Sequence, residues 1–167
     1  MRRDELLDAA ECLLTEHGTG ALTLAAVAER AGVSKGGLLY HFNSKEALVR
    51  AMIERLIADF DRLVAQQGHD SYGKNYVAAT FAAVCGGQLR RWAVVTGAAG
   101  DPALLAPLRE ALTRWFREGL DAEADPMTAQ VVRLACEGLW EIATHAPAVY
   151  TPEQYRDLER HLLSMLD

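Results

Sequence analysis

Residues 22 to 48 read LTLAAVAERAGVSKGGLLYHFNSKEAL, and this stretch decides the fold prediction for the whole chain. Thr23 precedes a segment whose apolar residues recur at helical spacing, and its hydroxyl is suited to cap that helix. Gly32 can take the positive φ that ends a helix, and Ser34 can cap a second one. A helix, a short turn containing Gly and a second short helix form the helix-turn-helix pattern. The stretch therefore predicts a DNA-binding motif whose second helix enters the major groove.

The apolar positions give each of these helices one inward face. Leu38 and Phe42 lie four residues apart and would anchor the second helix to the first. The inward face of the first helix consists of Leu24, Val27, Ala28 and Ala31. A third group of apolar residues predicts a helix before these two, ending before Gly18: Leu6, Ala10, Leu13 and Leu14. The N-terminus is therefore expected to fold as a three-helix DNA-binding domain over residues 1–46.

The same residues resemble the tetracycline-repressor (TetR) family of transcriptional regulators over about residues 3 to 50. The agreeing positions are residues 28–36 (AERAGVSKG), Leu38, His41, Phe42 and residues 44–48 (SKEAL). The resemblance implies a ligand-responsive transcriptional regulator, a repressor, that binds a palindromic operator as a homodimer. One position departs from the family pattern. The family usually has an aromatic residue, most often Tyr, where this chain has Leu39, and here the Tyr follows at Tyr40.

Composition and charge fit this interpretation. Half of the 167 residues are hydrophobic, yet no apolar run approaches the roughly 18 to 20 residues of a membrane span. The N-terminus mixes basic and acidic residues, unlike a signal peptide. Cys12, Cys85 and Cys136 are widely spaced in apolar surroundings, which is typical of reduced core cysteines in a cytoplasmic protein. Without a CxxC or Cys/His cluster, we expect no cofactor and no metal site.

The net charge of −6 is unevenly distributed along the chain. Residues 22–50 contain four basic and two acidic residues, whereas residues 68–167 contain nine basic and thirteen acidic ones. A local positive patch suffices for phosphate contact, while the overall negative charge weakens non-specific adhesion to nucleic acid. Without the helix-turn-helix pattern, the composition would indicate an ordinary acidic globular protein.

The candidate DNA contacts lie in and around the second helix of the motif. They are Thr23, Ser34, Lys35, Gly36, Gly37, Leu38, Tyr40, His41 and Lys45. Lys35 could donate to a guanine edge or to a phosphate. Two adjacent glycines cost about 1 kcal/mol each against Ala within a helix. Either close approach of DNA to the backbone offsets that cost, or a helix N-terminus tolerates Gly cheaply, and both explanations remain open.

Lys45 stands in the first turn of the next helix, where the helix dipole favours acidic residues. A phosphate bound at that N-terminus would resolve the conflict, and the family uses the matching Lys in this way. The resemblance also implies that Tyr40 contacts DNA, whereas Leu39 lacks the hydroxyl of the usual Tyr. His41 is interpreted as a packing or phosphate-side residue.

The remainder of the chain, residues 47–167, is predicted to be a helical regulatory and dimerisation domain. Apolar residues at i, i+3, i+4 and i+7 spacing and the N-cap–Pro pairs mark the helices, and no segment shows the alternation of a strand. The predicted helices run from Ser44 to about Gln67, from Tyr76 to Gly87 and on to Thr96, and over residues 102–121 (broken or kinked at Pro107), 126–145 and 152–166. The fold class is therefore all-α.

A small, largely apolar effector is predicted to bind within residues 56–145. Its candidate contacts are Phe81, Cys85, Trp92, Thr96, Trp115, Glu137 and Trp140. The alternative is that these aromatics simply fill the core. Trp140 falls within a polar helical stripe of Arg133, Glu137, Glu141 and His145, which favours an interface, a cation–π contact with Arg133 or a ligand wall.

The last two helices are predicted to form the homodimer interface. Tyr155, Leu158, Leu162 and Met165 repeat with coiled-coil-like spacing. The preceding helix has a broad apolar arc of Val132, Ala135, Cys136, Leu139, Ile142 and Ala143. Two copies packing these faces as a four-helix bundle would bury both.

The competing hypothesis is a helical enzyme built around Glu137, Glu141 and His145 or around a cysteine. A di-metal bundle needs several Glu-x-x-His pairs, and this sequence has none. It also lacks a phosphate loop and a nucleophile elbow. We therefore predict no enzymatic activity, with duplex DNA, a second copy of the chain and a small effector as the partners, and no membrane.

Overall fold

The computed structural model describes residues 3–121, 124–146 and 148–167. This part of the chain forms nine α-helices and two short 3₁₀ turns without any strand, which confirms the all-α prediction. The helices are α1 (Arg3–His17), α2 (Leu24–Arg30), α3 (Lys35–His41), α4 (Lys45–Ala65), α5 (Tyr72–Cys85), α6 (Gln88–Gly97), α7 (Ala106–Asp121), α8 (Pro126–His145) and α9 (Pro152–Ser164).

Two predicted boundaries differ from the structure. The helix expected from Tyr76 begins at Tyr72, because the Ser71 hydroxyl accepts a hydrogen bond from the Lys74 N–H at 3.2 Å and so caps it. The helix expected on to residue 96 is present as the separate helix α6 (Gln88–Gly97), because Gly87 adopts a φ of 75° and interrupts the chain after α5. The predicted break near Pro107 is present: a 3₁₀ turn over Pro102–Leu105 precedes α7.

The chain divides into two compact units. The first contains the residues up to Ile57 together with Arg90–Arg109, and the second contains Ala58–Leu89 and Glu110–Asp167. Helix α4 contributes residues to both. The fully buried side chains of the first unit include Leu6, Leu7, Leu14, Leu22, Val27, Leu38, Leu48, Met52, Ile53 and Leu56. This single apolar core holds α1, α2, α3 and the first half of α4 together.

Glu11 on α1 is the centre of an ion-pair cluster in the first unit. Its carboxylate lies 2.6 Å from a terminal nitrogen of Arg55 on α4 and 2.6 Å from Nε of Arg91 on α6. Arg55 also donates to Asp8 at 2.6 Å. The Arg90 guanidinium donates to the carbonyl of Thr15 at 3.1 Å, near the C-terminus of α1. These contacts attach α4 and α6 to α1.

The cysteine prediction is correct only for Cys136, which is buried on α8. Cys12 and Cys85 are exposed. Cys12 faces away from the apolar side of α1, and Cys85 is the last residue of α5. The apolar neighbours in the sequence belong to the opposite helix faces, so they do not cover these two thiols.

A large part of the two faces predicted for dimerisation is used within the chain. Helix α5 is apolar on nearly every side and is covered by α8 and α9. The side chains buried in this packing include Val132, Cys136, Leu139, Ala143, Tyr155 and Leu162. The prediction is therefore wrong for these six residues, because the chain buries them itself, whereas Ile142, Leu158 and Met165 of the predicted faces remain partly exposed.

The opposite side of α8 is also apolar. We call it the outer face of α8 and define it by Met127, Val131, Leu134, Gly138 and Ile142, which recur at three- and four-residue steps. Its large side chains remain exposed, with Val131 at 49% and Leu134 at 66%. No helix in the described part of the chain is long and apolar enough to cross a membrane.

Candidate nucleic-acid interface and effector site

Side-chain caps determine where α2, α3 and α4 begin. The hydroxyl of Thr23 accepts from the Ala26 N–H, that of Ser34 from the Gly37 N–H, and that of Ser44 from the Ala47 N–H, each at 3.1 Å. Each bond satisfies a backbone donor that a helix N-terminus leaves unpaired. All three starts coincide with residues that the sequence singles out.

The turn between α2 and α3 is closed by a glycine. Gly32 has a φ of 70° and donates to the carbonyl of Glu29 at 3.0 Å, while Val33 donates to the carbonyl of Ala28 at 2.9 Å. This pair of bonds is the Schellman motif, which needs a positive φ at the position of Gly32. It ends α2, and only four residues, 31–34, separate α2 from α3.

Helix α3 is attached through one side and exposed on the other. Leu38 is its one buried residue, and Phe42, just after the helix, is buried as well. Leu38 therefore anchors the helix and cannot touch DNA directly, which corrects its assignment as a contact. The rest of the helix is exposed, with Tyr40 at 87% and Lys35 and His41 also accessible.

The two glycines of α3 are not required by the fold. Neither has a positive φ. A Cβ added at Gly36 would meet only the Ser34 hydroxyl at 3.9 Å, and one at Gly37 would lie 3.4 Å from the same oxygen. These are ordinary van der Waals distances. The chain itself therefore has room for side chains at both positions.

The positive charge of this region is smaller than the sequence count suggests. Arg30 donates to both carboxylate oxygens of Glu16 at 2.7 and 2.6 Å, so its charge is compensated within the first unit. Lys35, Lys45 and Arg50 have no ion-pair partner among the described residues. Lys45 is half-buried in the first turn of α4, while Lys35 and Arg50 are exposed.

Tyr40 and His41 form an edge-to-face pair whose ring centroids are 5.2 Å apart. His41 is exposed, so its packing is confined to this surface contact. Leu39 is also exposed and provides only apolar surface where the family usually has a hydroxyl. The exposed aromatic of this chain thus lies one residue further along α3.

The second unit is built around a cluster of aromatic rings. Phe60 on α4 makes edge contacts with Trp115 on α7, Tyr76 on α5 and Trp140 on α8, at centroid distances of 5.0, 5.3 and 5.7 Å. The indole N–H of Trp115 donates to the carboxylate of Asp61 at 2.6 Å. Such edge-to-face packing stabilises the contact between helices beyond simple burial of apolar area.

A buried guanidinium lies against this cluster. The guanidinium carbon of Arg133 stands 3.7 Å from the centroid of the Tyr76 ring, and the side chain is only 10% exposed. Its Nε donates to Glu137 Oε1 at 2.8 Å, and the Tyr76 hydroxyl donates to the same oxygen at 3.0 Å. Burial raises the pKa of the Tyr76 hydroxyl far above its usual value, so this group remains a donor. Arg133 thus makes a cation–π contact with Tyr76 on α5.

Arg133 lines two openings in the second unit. One is a small, partly open cavity of about 20 Å³, which is room for about one water molecule. Its lining residues are Tyr72, Gly73, Tyr76, Val77, Gly119, Ala129, Val132, Arg133, Cys136 and Leu166. The other is an open groove of about 390 Å³ lined by Leu112, Thr113, Phe116, Arg133 and Glu137.

The predicted effector residues do not gather at one place. Glu137 lines the groove, and Trp115 and Trp140 contact the Phe60 ring. Phe81 is buried and packs on the Tyr155 ring at 6.5 Å, and Cys85 is exposed at the end of α5. Trp92 and Thr96 belong to the first unit, where the Thr96 hydroxyl donates to the Trp92 carbonyl at 2.8 Å.

Several lining residues were not among the predicted effector contacts. Tyr72, Leu112 and Phe116 line the openings, and Arg133 lines both. The sequence carried one usable signal, the four-residue spacing of Arg133 and Glu137, which places both on one side of α8.

The side chains proposed for an enzyme include a buried thiol and an exposed ion pair. Burial raises the pKa of the Cys136 thiol to about 12, and a protonated thiol is a poor nucleophile. His145 lies 3.2 Å from Glu141, and both are well exposed. Within the described residues no group of three His, Cys, Asp or Glu side chains is arranged to hold a metal ion.

Comparison with known families identifies the chain. A profile described as bacterial regulatory proteins, tetR family, matches residues 6–52, and one described as tetracyclin repressor-like, C-terminal domain, matches residues 70–167. The second match alone covers more than half of the chain. The chain belongs to the TetR family.

Named relatives from this family are transcriptional regulators. The repressor KstR2 of Rhodococcus jostii is 40% identical over 74 residues, covering 42% of this chain and 36% of that protein. The regulator TtgR of Pseudomonas putida is 39% identical over 61 residues, 36% of this chain and 29% of TtgR. The chain thus spans about a third of the length of these two curated relatives. BetI of Burkholderia ambifaria is 29% identical over 148 residues, 83% of this chain and 76% of BetI.

Solved structures share the TetR fold along the whole chain. A transcriptional regulator from Rhodococcus sp. Rha1 superposes with a TM-score of 0.74 at 24% identity, covering 99% of this chain and 96% of that one. The multidrug binding protein EbrR, solved with malachite green, has a TM-score of 0.78 at 21% identity, covering 99% and 98%. At these identities the likeness concerns the fold alone.

Proposed function

We propose that this TetR-family protein is a ligand-responsive transcriptional repressor that binds a palindromic DNA operator as a homodimer and is released by a small, largely apolar effector. The observation that carries the proposal is the exposed side of α3, flanked by lysines that have no ion-pair partner in the described chain. The names of the relatives, which include a repressor, support the direction of regulation.

We assign the DNA contacts to the exposed positions of the motif. Lys35, Gly36, Gly37 and Tyr40 would meet the major groove, and His41 would lie at its edge. Room for a Cβ at both glycines within the chain supports the close approach of DNA as the reason for Gly there. Thr23, Ser34 and Lys45 would hold phosphates through helix N-termini and charge.

Substituting the two lysines should separate sequence reading from phosphate binding. Lys45→Ala should weaken binding to every duplex about equally and lower the salt slope of log K by about one for each half of a dimer. Lys35→Ala or Gly37→Ala should change which sequence is preferred, at a cost of about 1 to 3 kcal/mol. Selection of bound fragments from random duplexes, followed by titrations at several salt concentrations, measures both effects.

The wild-type slope should be about −5 if each half of a dimer neutralises three phosphates. Arg160→Ala on α9 removes an equal charge from an exposed ion pair in the second unit and should leave operator affinity unchanged. If Lys35→Ala, Gly37→Ala and Lys45→Ala each lowered the affinity for all sequences equally, the division between base-reading and phosphate-binding residues would be contradicted.

We propose the outer face of α8 as the main homodimer contact. Its exposed apolar side chains support this, because contiguous apolar patches on a folded chain mark interaction surfaces. Gly138 lies within the face, and a Cβ there would meet nothing within 4 Å, so a partner helix could approach closely. A twofold dimer would bring two copies of α3 to a palindromic operator.

The effector is proposed to bind in the second unit at the groove beside Arg133. The aromatic cluster and the groove support an apolar ligand, as mostly apolar concave surfaces with a few polar groups are typical ligand sites. TtgR and KstR2 are named as regulators, and EbrR is a multidrug binding protein, which supports a sensor role. The neighbouring cavity of about 20 Å³ is too small for such a ligand, so we propose the groove of about 390 Å³ as its place.

Effector binding should change tryptophan fluorescence and release the operator. Trp115 and Trp140 both contact Phe60, so a ligand at the groove should alter their emission. Coupling of about 1 to 3 kcal/mol would lower operator affinity roughly 5- to 150-fold. Titration with hydrophobic metabolites and drugs, followed by operator competition, tests both steps. Ligands that quench fluorescence and leave DNA affinity unchanged would remove the sensor role and keep the DNA-binding role.

We further propose that residues 1–46 read DNA and that residues 47–167 serve regulation and dimerisation. The working location of such a regulator is the cytoplasm, where its operator is found. Ligand binding would be communicated along α4, which contributes residues to both compact units.

A further inference from the structure

We infer that the effector is an organic acid: an apolar body carrying one carboxylate that is bound by Arg133. This inference rests on the proposed function and specifies its ligand class. Three features occur together at this place. The guanidinium of Arg133 is nine-tenths buried, the ring of Tyr76 lies against it, and an open apolar groove lies beside it.

The hydrogen bonds of Arg133 leave donors for a ligand. Its Nε donates to Glu137, and within the part of the chain that the structure describes its two terminal amino groups have no acceptor. A guanidinium presents five N–H donors in a planar fork that matches a carboxylate. A buried cation with unpaired donors is costly for the chain alone, and an acidic ligand would relieve that cost.

The same geometry disfavours a cationic ligand. Clusters of aromatic rings bind organic cations over their ring faces. Here the face of Tyr76 already carries a cation of the chain itself, with the Arg133 guanidinium carbon 3.7 Å from the ring centroid. A positively charged ligand could therefore reach the face of Tyr76 only by displacing Arg133 from it. A carboxylate would meet Arg133 without breaking this contact.

The groove can hold the apolar part of such a ligand. Leu112 and Phe116 line it and are partly exposed, and Arg133 and Glu137 form its polar end. A molecule lying along the groove can therefore cover the two apolar side chains while its head group reaches the guanidinium. The groove volume of about 390 Å³ suits a small molecule.

Glu137 sets the strength of this recognition. Its Oε1 accepts from both Arg133 and Tyr76, so it holds the guanidinium in place, yet its charge repels an incoming carboxylate. Glu137→Gln keeps an oxygen that can accept these bonds and removes the repulsion. Affinity for acids should therefore rise by about threefold or more in this variant.

The experiment compares ligands that differ only in the head group. Octanoate, octan-1-ol and octylamine form one series, and naphthoate, naphthylmethanol and naphthylmethylamine form the other. Binding to the full chain is measured by calorimetry and by tryptophan fluorescence. In the wild type, we expect at least one acid to bind about tenfold or more tightly than its alcohol and its amine.

Two variants complete the test. Arg133→Gln should remove the preference for the acid over the alcohol, while Glu137→Gln should increase it. Circular dichroism and thermal unfolding verify that each variant is folded, and the wild-type comparison alone remains decisive if Arg133→Gln does not fold. The inference is overturned by amines or alcohols that bind as tightly as the acids, or by no binding of any acid at its solubility limit.

Operator competition distinguishes this inference from the proposed function. Acids that bind with the expected preference and leave the operator bound would contradict ligand-responsive regulation and keep the assignment of the acid site. A neutral or cationic compound that releases the operator through the same groove would support regulation and overturn the acid site.

Discussion

Replacing Val131 and Leu134 together with Glu should convert the proposed homodimer into monomers and reduce operator affinity by about 10² to 10⁴, the range by which linking two binding modules raises affinity. Both side chains are substantially exposed on the outer face of α8, so charge there does not disturb the core. In an isologous interface each substitution appears twice, and four carboxylates would be buried against apolar surface. Each half would then bind DNA alone.

Sedimentation velocity and operator titration measure the two consequences. The control is Val149→Glu, which changes an exposed apolar side chain of the same unit outside both the outer face of α8 and the groove beside Arg133. This control should remain dimeric and keep its operator affinity. A Val131/Leu134 double variant that sediments as a dimer would show that another surface forms the interface.

Replacing Glu11 with Ala should lower the free energy of unfolding by about 2 to 3 kcal/mol, less than the 3 to 5 kcal/mol of a fully buried broken ion pair. The Glu11 side chain is 14% exposed and receives hydrogen bonds from both Arg55 and Arg91. Removing it leaves two half-buried guanidinium groups without this carboxylate. Because Arg91 lies on α6, the attachment of α6 to α1 should loosen first.

Urea unfolding at a fixed protein concentration tests this expectation. Glu16→Ala is the matched control, since it removes another Arg–carboxylate pair from α1 at an exposed position, and its effect should be far smaller. Hydrogen exchange should report faster exchange in α6 of the Glu11 variant than in α6 of the control. Equal stability of the two variants would mean that the cluster around Glu11 contributes no more than a surface pair.

The starts of the helices could be predicted from the sequence because caps act locally. Ser34, Asp125 and Thr151 each accept a hydrogen bond from a backbone N–H two or three residues later. The interaction involves only neighbouring residues, so the residue type and the following pattern suffice. The same applies to Gly32, whose positive φ ends α2. This explains why the DNA-reading motif could be recognised before its structure.

The residues of the proposed effector site could not be predicted in this way. Tyr76 and Arg133 are far apart in the sequence, and their contact depends on α8 packing on α5. The helical pattern of apolar residues does not distinguish one aromatic residue from another. In the structure, however, Phe81 packs on Tyr155, whereas Trp115 contacts Phe60. The composition indicated that residues 47–167 are rich in aromatic side chains, but it could not show which of them line the groove beside Arg133.

Helix α8 separates what the sequence alone determined from what the tertiary structure decided. Asp125 and Pro126 determined where it begins, and its length followed from the uninterrupted helical pattern. Both of its sides are apolar, one with Val132, Cys136 and Leu139, the other with Val131 and Leu134. Periodicity cannot rank two faces of similar hydrophobicity. The packing of α8 on α5 decided between them. Because α5 is apolar nearly all round, the chain covers it with one face of α8. That face became part of the core, and the opposite face remained exposed.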